Sequence, residues 1–407
     1  MKNIYSTGKK FFSGLYKYNY VNQLKVTESF NKLDVFRVLD SKGKMIDKKF
    51  DTIPKDISLK IFKTMAQTRN YDVRFNMAQR EGKISFYMTG TGEEAAVTGS
   101  VAALEMEDVI YPQYRESGVY VYRGYTIQDL ANQLTGNYLD PGKGRQMPVH
   151  YTASKLNIQS VKSPLSTQLP QVAGAGYHFR VQNLNKICVT YFGEGSASEG
   201  DFHPALNFAA TLGSQSLFFC RNNKYAISTP SDEQYAGDGI AVHGVAYGIA
   251  SMKVDGNDPI AVYHSVKKAR EYILEKKKPF VIEAITYRVG DHSTSDYSKM
   301  YRTEEEMKKW GNLLNEIGDP IERYLAYLKD KNWMTDNEYK TMIEEVQVDV
   351  RESLKKAMAT KKPSIDSMFD DVYETLPNIL NEQKQEMREH IAKYKDKYDL
   401  EQYDKGF

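Results

Sequence analysis

Glu194 stands between Gly193 and Gly195 in the string YFGEGS, and Asn223 follows 29 residues later in FFCRNN. Two glycines flanking an acid let the backbone approach an anion closely while the carboxylate meets a cation. A carboxylate, an amide and a backbone carbonyl suffice for magnesium, which fills its remaining positions with phosphate oxygens and water. Either Asn222 or Asn223 can supply the amide, and Arg221 beside them can neutralise phosphate charge. The chemistry these residue types point to is capture of a metal-chelated diphosphate.

Two further groups carry chemistry. Gln113, Tyr114 and Arg115 cluster after the strand-like run 109–111, where a guanidinium can grip a phosphate and a phenol can donate to it. His292 lies in GDHSTSD, past the end of another β-rich run. An imidazole there is a candidate acid/base group because its ordinary pKa near 6.5 serves both roles around neutrality. His150 can help order such a site, although a satisfied structural role suits a lone histidine equally well.

These residues need elements to bring them together. The runs 187–192 (ICVTYF) and 216–220 (SLFFC) are short, apolar and β-rich, as expected of strands buried on both faces. A helix opened by Ser198 or Asp201 and running through Leu212 joins them. Strands are likewise expected at 109–111, before Asp255 and at 280–289, with helices over 56–79, 95–104 and 259–276. Ile61, Met65 and Val73 are placed on the buried side of the first helix. Alternation of strand and helix predicts an α/β fold with a parallel sheet flanked by helices, whose ligands sit at the carboxyl ends of the strands. Residues 36–50 read as a short extended region with a turn at 41–44. Near the end, Asp319-Pro320 opens a helix and Thr335 with Glu338 forms a capping box. Met387, Ile391, Tyr394 and Tyr398 trace one apolar stripe.

Composition bounds the rest. The chain has 407 residues, 41% hydrophobic and 27% charged, with a net charge of +2, which gives no electrostatic reason to expect nucleic acid. Mean hydropathy is −0.58 and no apolar run approaches the ~18 residues of a membrane span. Cys188 and Cys220 fall inside apolar runs and read as core residues rather than as a disulfide. Lys2, Lys9, Lys10, Lys17 and Lys25 precede the first acid, Glu28, so residues 1–30 resemble a mitochondrial targeting segment carried by lysine.

The longer strings GEGSASEGDFHPALNFAATL and FFCRNNKYAISTP, together with YRESG, MPVHY and HSTSD, resemble the α-subunit family of the branched-chain 2-oxoacid dehydrogenases. The resemblance implies a thiamin diphosphate-binding fold with helical N- and C-terminal extensions, divided as an N-terminal extension at 31–80, a cofactor domain at 81–330 and a helical extension at 331–407. It implies oxidative decarboxylation of branched-chain 2-oxoacids, with transfer of the acyl group to the lipoyl group of an acyltransferase. It puts Glu194, Asn223 and the Tyr225 carbonyl on Mg²⁺, and Tyr114, Arg115, Ser163, Gly195, Ser196, Arg221 and His292 around the cofactor. Lys162, Pro164, Thr167 and Gln168 match a potassium loop, with Lys162 standing where the family usually has serine. Ser293 matches a phosphorylation position served by a regulatory kinase, and Asp291 stands where relatives can carry a second histidine.

One diphosphate motif and no second half of the fold imply a β subunit in an α2β2 assembly, located in the mitochondrial matrix. Two other readings remain at this point: the α subunit of pyruvate dehydrogenase, with the same chemistry, and a noncatalytic scaffold, which would be marked by loss of the motif residues.

Overall fold

Six strands run parallel in one sheet, in the order β1–β7–β8–β4–β3–β2: β1 Val35–Phe36, β2 Val109–Tyr111, β3 Cys188–Gly193, β4 Ser216–Asn222, β7 Ala250–Asp255 and β8 Phe280–Ile285. A separate small hairpin pairs β5 (Tyr225–Ala226) with β6 (Thr229–Pro230) just beyond β4. The computed structural model describes residues 32–303, 305 and 318–404. The expected targeting segment lies outside them. From Leu33 on, the described residues gather into one compact unit.

The helices form layers because successive strand residues point to opposite faces. In β4, Leu217 and Phe219 enter one core cluster while Phe218 and Cys220 enter another. The first is covered by α1 (Lys55–Arg80), α2 (Glu94–Ala102), α3 (Ser117–Tyr122), α4 (Ile127–Thr135) and, after the strand β7, α9 (Pro259–Lys276). The second is covered by α5 (Gln168–Val181), α6 (Phe202–Leu212) and α8 (Ala241–Ala246), which follows the single-turn α7 (Ser231–Gln234). Both cysteines are buried and free, as their setting in apolar runs predicts.

Past β8 come α10 (Pro320–Asp330), the long α11 (Asp336–Ala359) and α12 (Asn378–Lys393). The Asp319 cap and the Thr335–Glu338 capping box both form. Helix α10 is locked to the sheet by Arg323, fully buried, which donates to Asp255 at 2.8 Å and to the Asp40 carbonyl at 2.7 Å. Among the described residues no helix is long and apolar enough to cross a membrane.

Two local expectations need correction, and one open choice resolves. Val73 is 53% exposed whereas Ile61 and Met65 are fully buried; at ~100° per residue, Val73 lies about 120° around the helix from Ile61, off the buried face. Of the two residues expected to open the helix after β3, Asp201 is its N-cap and Ser198 is not, because Gly195–Ser198 form a tight 3-10 turn first. The C-terminal stripe is also broken: α12 ends at Lys393, and Tyr394 and Tyr398 lie beyond it, half-exposed.

Candidate functional site

Parallel register sets the edge at which the polar residues emerge. Gly193 of β3 pairs with Arg221 of β4, and Arg221 with Ala284 of β8, so Glu194 and the pair Asn222–Asn223 leave the sheet side by side. The Asn223 N–H donates to the Glu194 carboxylate at 3.1 Å. Glu194 is almost fully buried, and burial first, then the neighbouring charge of Glu93, pushes its carboxyl up to about 7. A buried carboxylate in this state is short of positive charge.

The turn after Glu194 is built for close approach. A Cβ on Gly195 would sit 2.7 Å from the Ala226 side chain. The N–H groups of Gly195 and Ser196 find no acceptor among the described residues, and adjacent free N–H groups at such a turn suit an anion. Ser196 is held from the far side: the Ser166 hydroxyl donates to its carbonyl at 2.6 Å and lies 2.5 Å from its Oγ.

Arg221 does not point into open space. Its Nε donates to Glu116 at 2.6 Å and its Nη1 to Glu93, and all three groups are buried. Burial opposes the guanidinium's charge, but the two carboxylates hold its pKa above the ordinary value. Glu93 also accepts from the Asn223 side chain at 2.7 Å and lies 3.9 Å from the Arg115 Nε. Gln113 accepts from the Gly193 N–H at 2.7 Å. These residues come from four separate segments and form one network under the Glu194 turn.

His292 faces the same network. Its Nδ1 accepts from Arg115 Nη2 at 3.1 Å, its carbonyl accepts from the same nitrogen at 2.7 Å, and its N–H donates to Asp296 at 2.7 Å. The Tyr114 ring meets it edge-on at 6.3 Å. Burial, then the charges of Arg115 and Arg288, push the imidazole down to about 3. It is therefore neutral at physiological pH. With Nδ1 accepting, the proton resides on Nε2, which makes the ring a hydrogen-bond donor on its other side. Arg288, buried, donates to the carbonyls of Tyr225 at 3.1 Å and Ile227 at 2.6 Å and to the Tyr301 hydroxyl at 2.8 Å, tying the hairpin to the His292 loop.

Ser293, next to it, is 9% exposed, and its Oγ accepts from the Ser295 N–H at 3.2 Å. Asp291 is occupied within the loop by Ser298. The 163–168 loop lies on the Ser196 side. Ser163 is exposed and shares a hydrogen bond with His150 Nε2 at 2.8 Å. The Thr167 hydroxyl donates to the Pro164 carbonyl at 3.0 Å, and Gln168 donates to the Tyr191 carbonyl at 3.0 Å. Lys162 turns its ammonium onto the Ser160 carbonyl at 3.1 Å.

Sequence reasoning did not single out Glu93, Glu116, Arg288, Asp296 or Tyr301. For Glu93 the available signal was an acid beside two glycines at the head of an alanine-rich helix.

The geometry agrees with comparison to known proteins. A family model described as dehydrogenase E1 component matches residues 62–366. The chain is 47% identical over 391 residues to the mitochondrial 2-oxoisovalerate dehydrogenase subunit alpha of Dictyostelium discoideum, covering 95% of this chain and 87% of that protein. It is 47% identical over 370 residues to the Caenorhabditis elegans protein of the same name, with 90% and 85% covered. The human protein is 44% identical over 374 residues, with 92% and 83% covered. A match across three quarters of the chain, on a parallel sheet whose strand exits carry the motif residues, makes this chain a member of the dehydrogenase E1 component family.

Proposed function

We propose that this chain is the α subunit of a mitochondrial branched-chain 2-oxoacid dehydrogenase. It decarboxylates branched-chain 2-oxoacids with thiamin diphosphate and passes the acyl group to a lipoyl-bearing acyltransferase, in branched-chain amino acid catabolism. The observation that carries the reading is the buried, cation-poor Glu194 carboxylate held beside Asn223 and the free N–H groups of Gly195 and Ser196.

In this reading Glu194, the Asn223 amide oxygen and the Tyr225 carbonyl hold Mg²⁺, which shares that carbonyl with Arg288. The N–H groups of Gly195 and Ser196 receive the diphosphate, with Tyr114, Arg115, Ser163 and Arg221 around it. Bound thiamin diphosphate supplies the electron sink for loss of carbon dioxide. His292 offers its Nε2–H to oxygen as charge develops, fixed in orientation by Arg115 and Asp296. The group that activates the other end of the cofactor comes from a β subunit in an α2β2 assembly, so the chain alone turns nothing over.

The test is substrate-dependent CO₂ release by this chain coexpressed with its β partner, given thiamin diphosphate, Mg²⁺ and either 3-methyl-2-oxobutanoate or pyruvate. Release with the branched substrate at higher kcat/KM supports the reading; preference for pyruvate overturns the substrate, and no release with either overturns the activity.

Three further results are expected. Glu194, raised to about 7 in the free protein, must lose its proton to hold a metal. Calorimetry in buffers of different ionisation enthalpy should show Mg²⁺–thiamin diphosphate binding releasing up to one proton at pH 6 and almost none at pH 8, with affinity falling below pH 7. Because His292 titrates near 3, kcat/KM should show no acidic limb that His292→Gln removes between pH 6 and 8. We also place K⁺ in the 162–168 loop, held by the Lys162 and Pro164 carbonyls, Thr167 and Gln168. Potassium should then raise the melting temperature, and Thr167→Ala should abolish the rise.

A further inference from the structure

The segment following β6 lies across the Glu194 turn as a strap. At one end the Tyr235 hydroxyl donates to the Glu194 backbone carbonyl and lies 3.3 Å from the Ser198 Oγ, while the Gln234 amide donates to that Oγ at 2.7 Å. At the other end Asp238 pairs with Lys253 of β7 at 2.7 Å and accepts from the Leu33 N–H at 2.8 Å. Ile240 and Ala241 donate their N–H groups to Glu283 of β8 at 2.9 and 2.8 Å. Glu283, fully buried, also accepts from Asn222 at 2.7 Å. The strap is thus fastened to the sheet beside Asn223 and reaches back to the turn that carries Glu194.

We propose that Tyr235 is a positioning residue for the metal–diphosphate, acting through the peptide that joins Glu194 to Gly195; this rests on the function proposed above. A trans peptide is planar, so its C=O and N–H point in opposite directions. Anchoring the Glu194 carbonyl on the Tyr235 hydroxyl therefore aims the Gly195 N–H away from the strap, and that N–H has no protein acceptor among the described residues. The Ala197 N–H also donates to this carbonyl at 3.1 Å, which fixes the plane from within the turn. Without the phenol, the carbonyl keeps only the partner that a 3-10 turn supplies anyway, and the peptide is free to tilt. Tyr235 touches neither metal nor diphosphate in this arrangement.

Tyr235→Phe in the assembled enzyme isolates the hydroxyl. Loss of an outer partner of a metal site costs about 10–100-fold in affinity. The Kd for thiamin diphosphate at fixed Mg²⁺, measured by calorimetry, should rise about 10-fold. The melting temperature of the cofactor-free enzyme and kcat at saturating cofactor should stay unchanged. Ser198→Ala, which removes the other polar group beside the phenol, should leave the Kd within twofold. The proposal is overturned if Tyr235→Phe leaves the Kd within twofold, if it lowers the cofactor-free melting temperature along with the affinity, or if Ser198→Ala reproduces the loss. Absence of binding by the parent enzyme would instead sink the proposed function.

Discussion

Replacing Glu194 with glutamine should abolish turnover of the assembled enzyme while making its cofactor-free form more stable. The two effects have one cause. The carboxylate is almost fully buried and accepts from the Asn223 N–H, so the free protein holds it against a desolvation penalty that raises its pKa to about 7. For an acid raised in the folded state, the sign is set: the penalty is absent below its unfolded value near 4.5, grows as pH rises, and is complete above about 7. Glutamine carries no such penalty. It also offers a cation a neutral amide in place of a negative charge. Since outer partners of metal sites already cost about 10–100-fold, loss of the charged ligand should lower kcat/KM by more than about 100-fold. A raised melting point at pH 8 without cofactor, together with lost activity, is the expected pair. Retained activity would remove Glu194 from the metal site.

The largest loss of stability is expected from Arg221→Leu. The guanidinium is shared by Glu93 and Glu116, both buried, and leucine would leave two carboxylates without their cation. Breaking a buried pair from one side costs about 3–5 kcal/mol, because the stranded charge stays desolvated. The triple variant in which Glu93 and Glu116 also become glutamine should recover much of this loss at pH 8. Urea midpoints of the cofactor-free assembled enzyme measure it. A midpoint within experimental error of the parent would mean that the three groups are not coupled.

How much of this could be read from the chain alone depends on sequence distance. The strands were legible because they are continuous apolar runs, and the Glu194–Asn223 pair because register puts consecutive strand exits side by side. Glu93 and Glu116 were not. They meet Asn223 and Arg221 across 130 and 105 residues, and no local period announces such a pairing. The freedom assumed for Arg221 shows the same gap: a guanidinium at a strand exit looks available until the acids from two other loops arrive. His292 was legible as a candidate, but its charge state was not, since the cause is burial beside Arg115 and Arg288 rather than anything in HSTSD. Val73 failed for a simpler reason, a spacing of twelve residues from Ile61 that carries it off the buried face.

The sheet's outer strand bears on how the chain reaches this state. Only Val35 and Phe36 form β1, and they pair with β7, while Arg37 bonds to Asp255 across 218 residues and Asp40 to Arg323 across 283. Contacts this distant form late, after most loop-closure entropy has been spent, and they slow folding. Until about 255 residues are available, β1 has no strand to pair with, and β4 lacks its neighbour β8 until about 285 are. A nascent or refolding chain in that interval exposes parallel strand edges of the kind that aggregate. Recovery of this subunit from denaturant should accordingly depend strongly on dilution and on a chaperone that shields those edges.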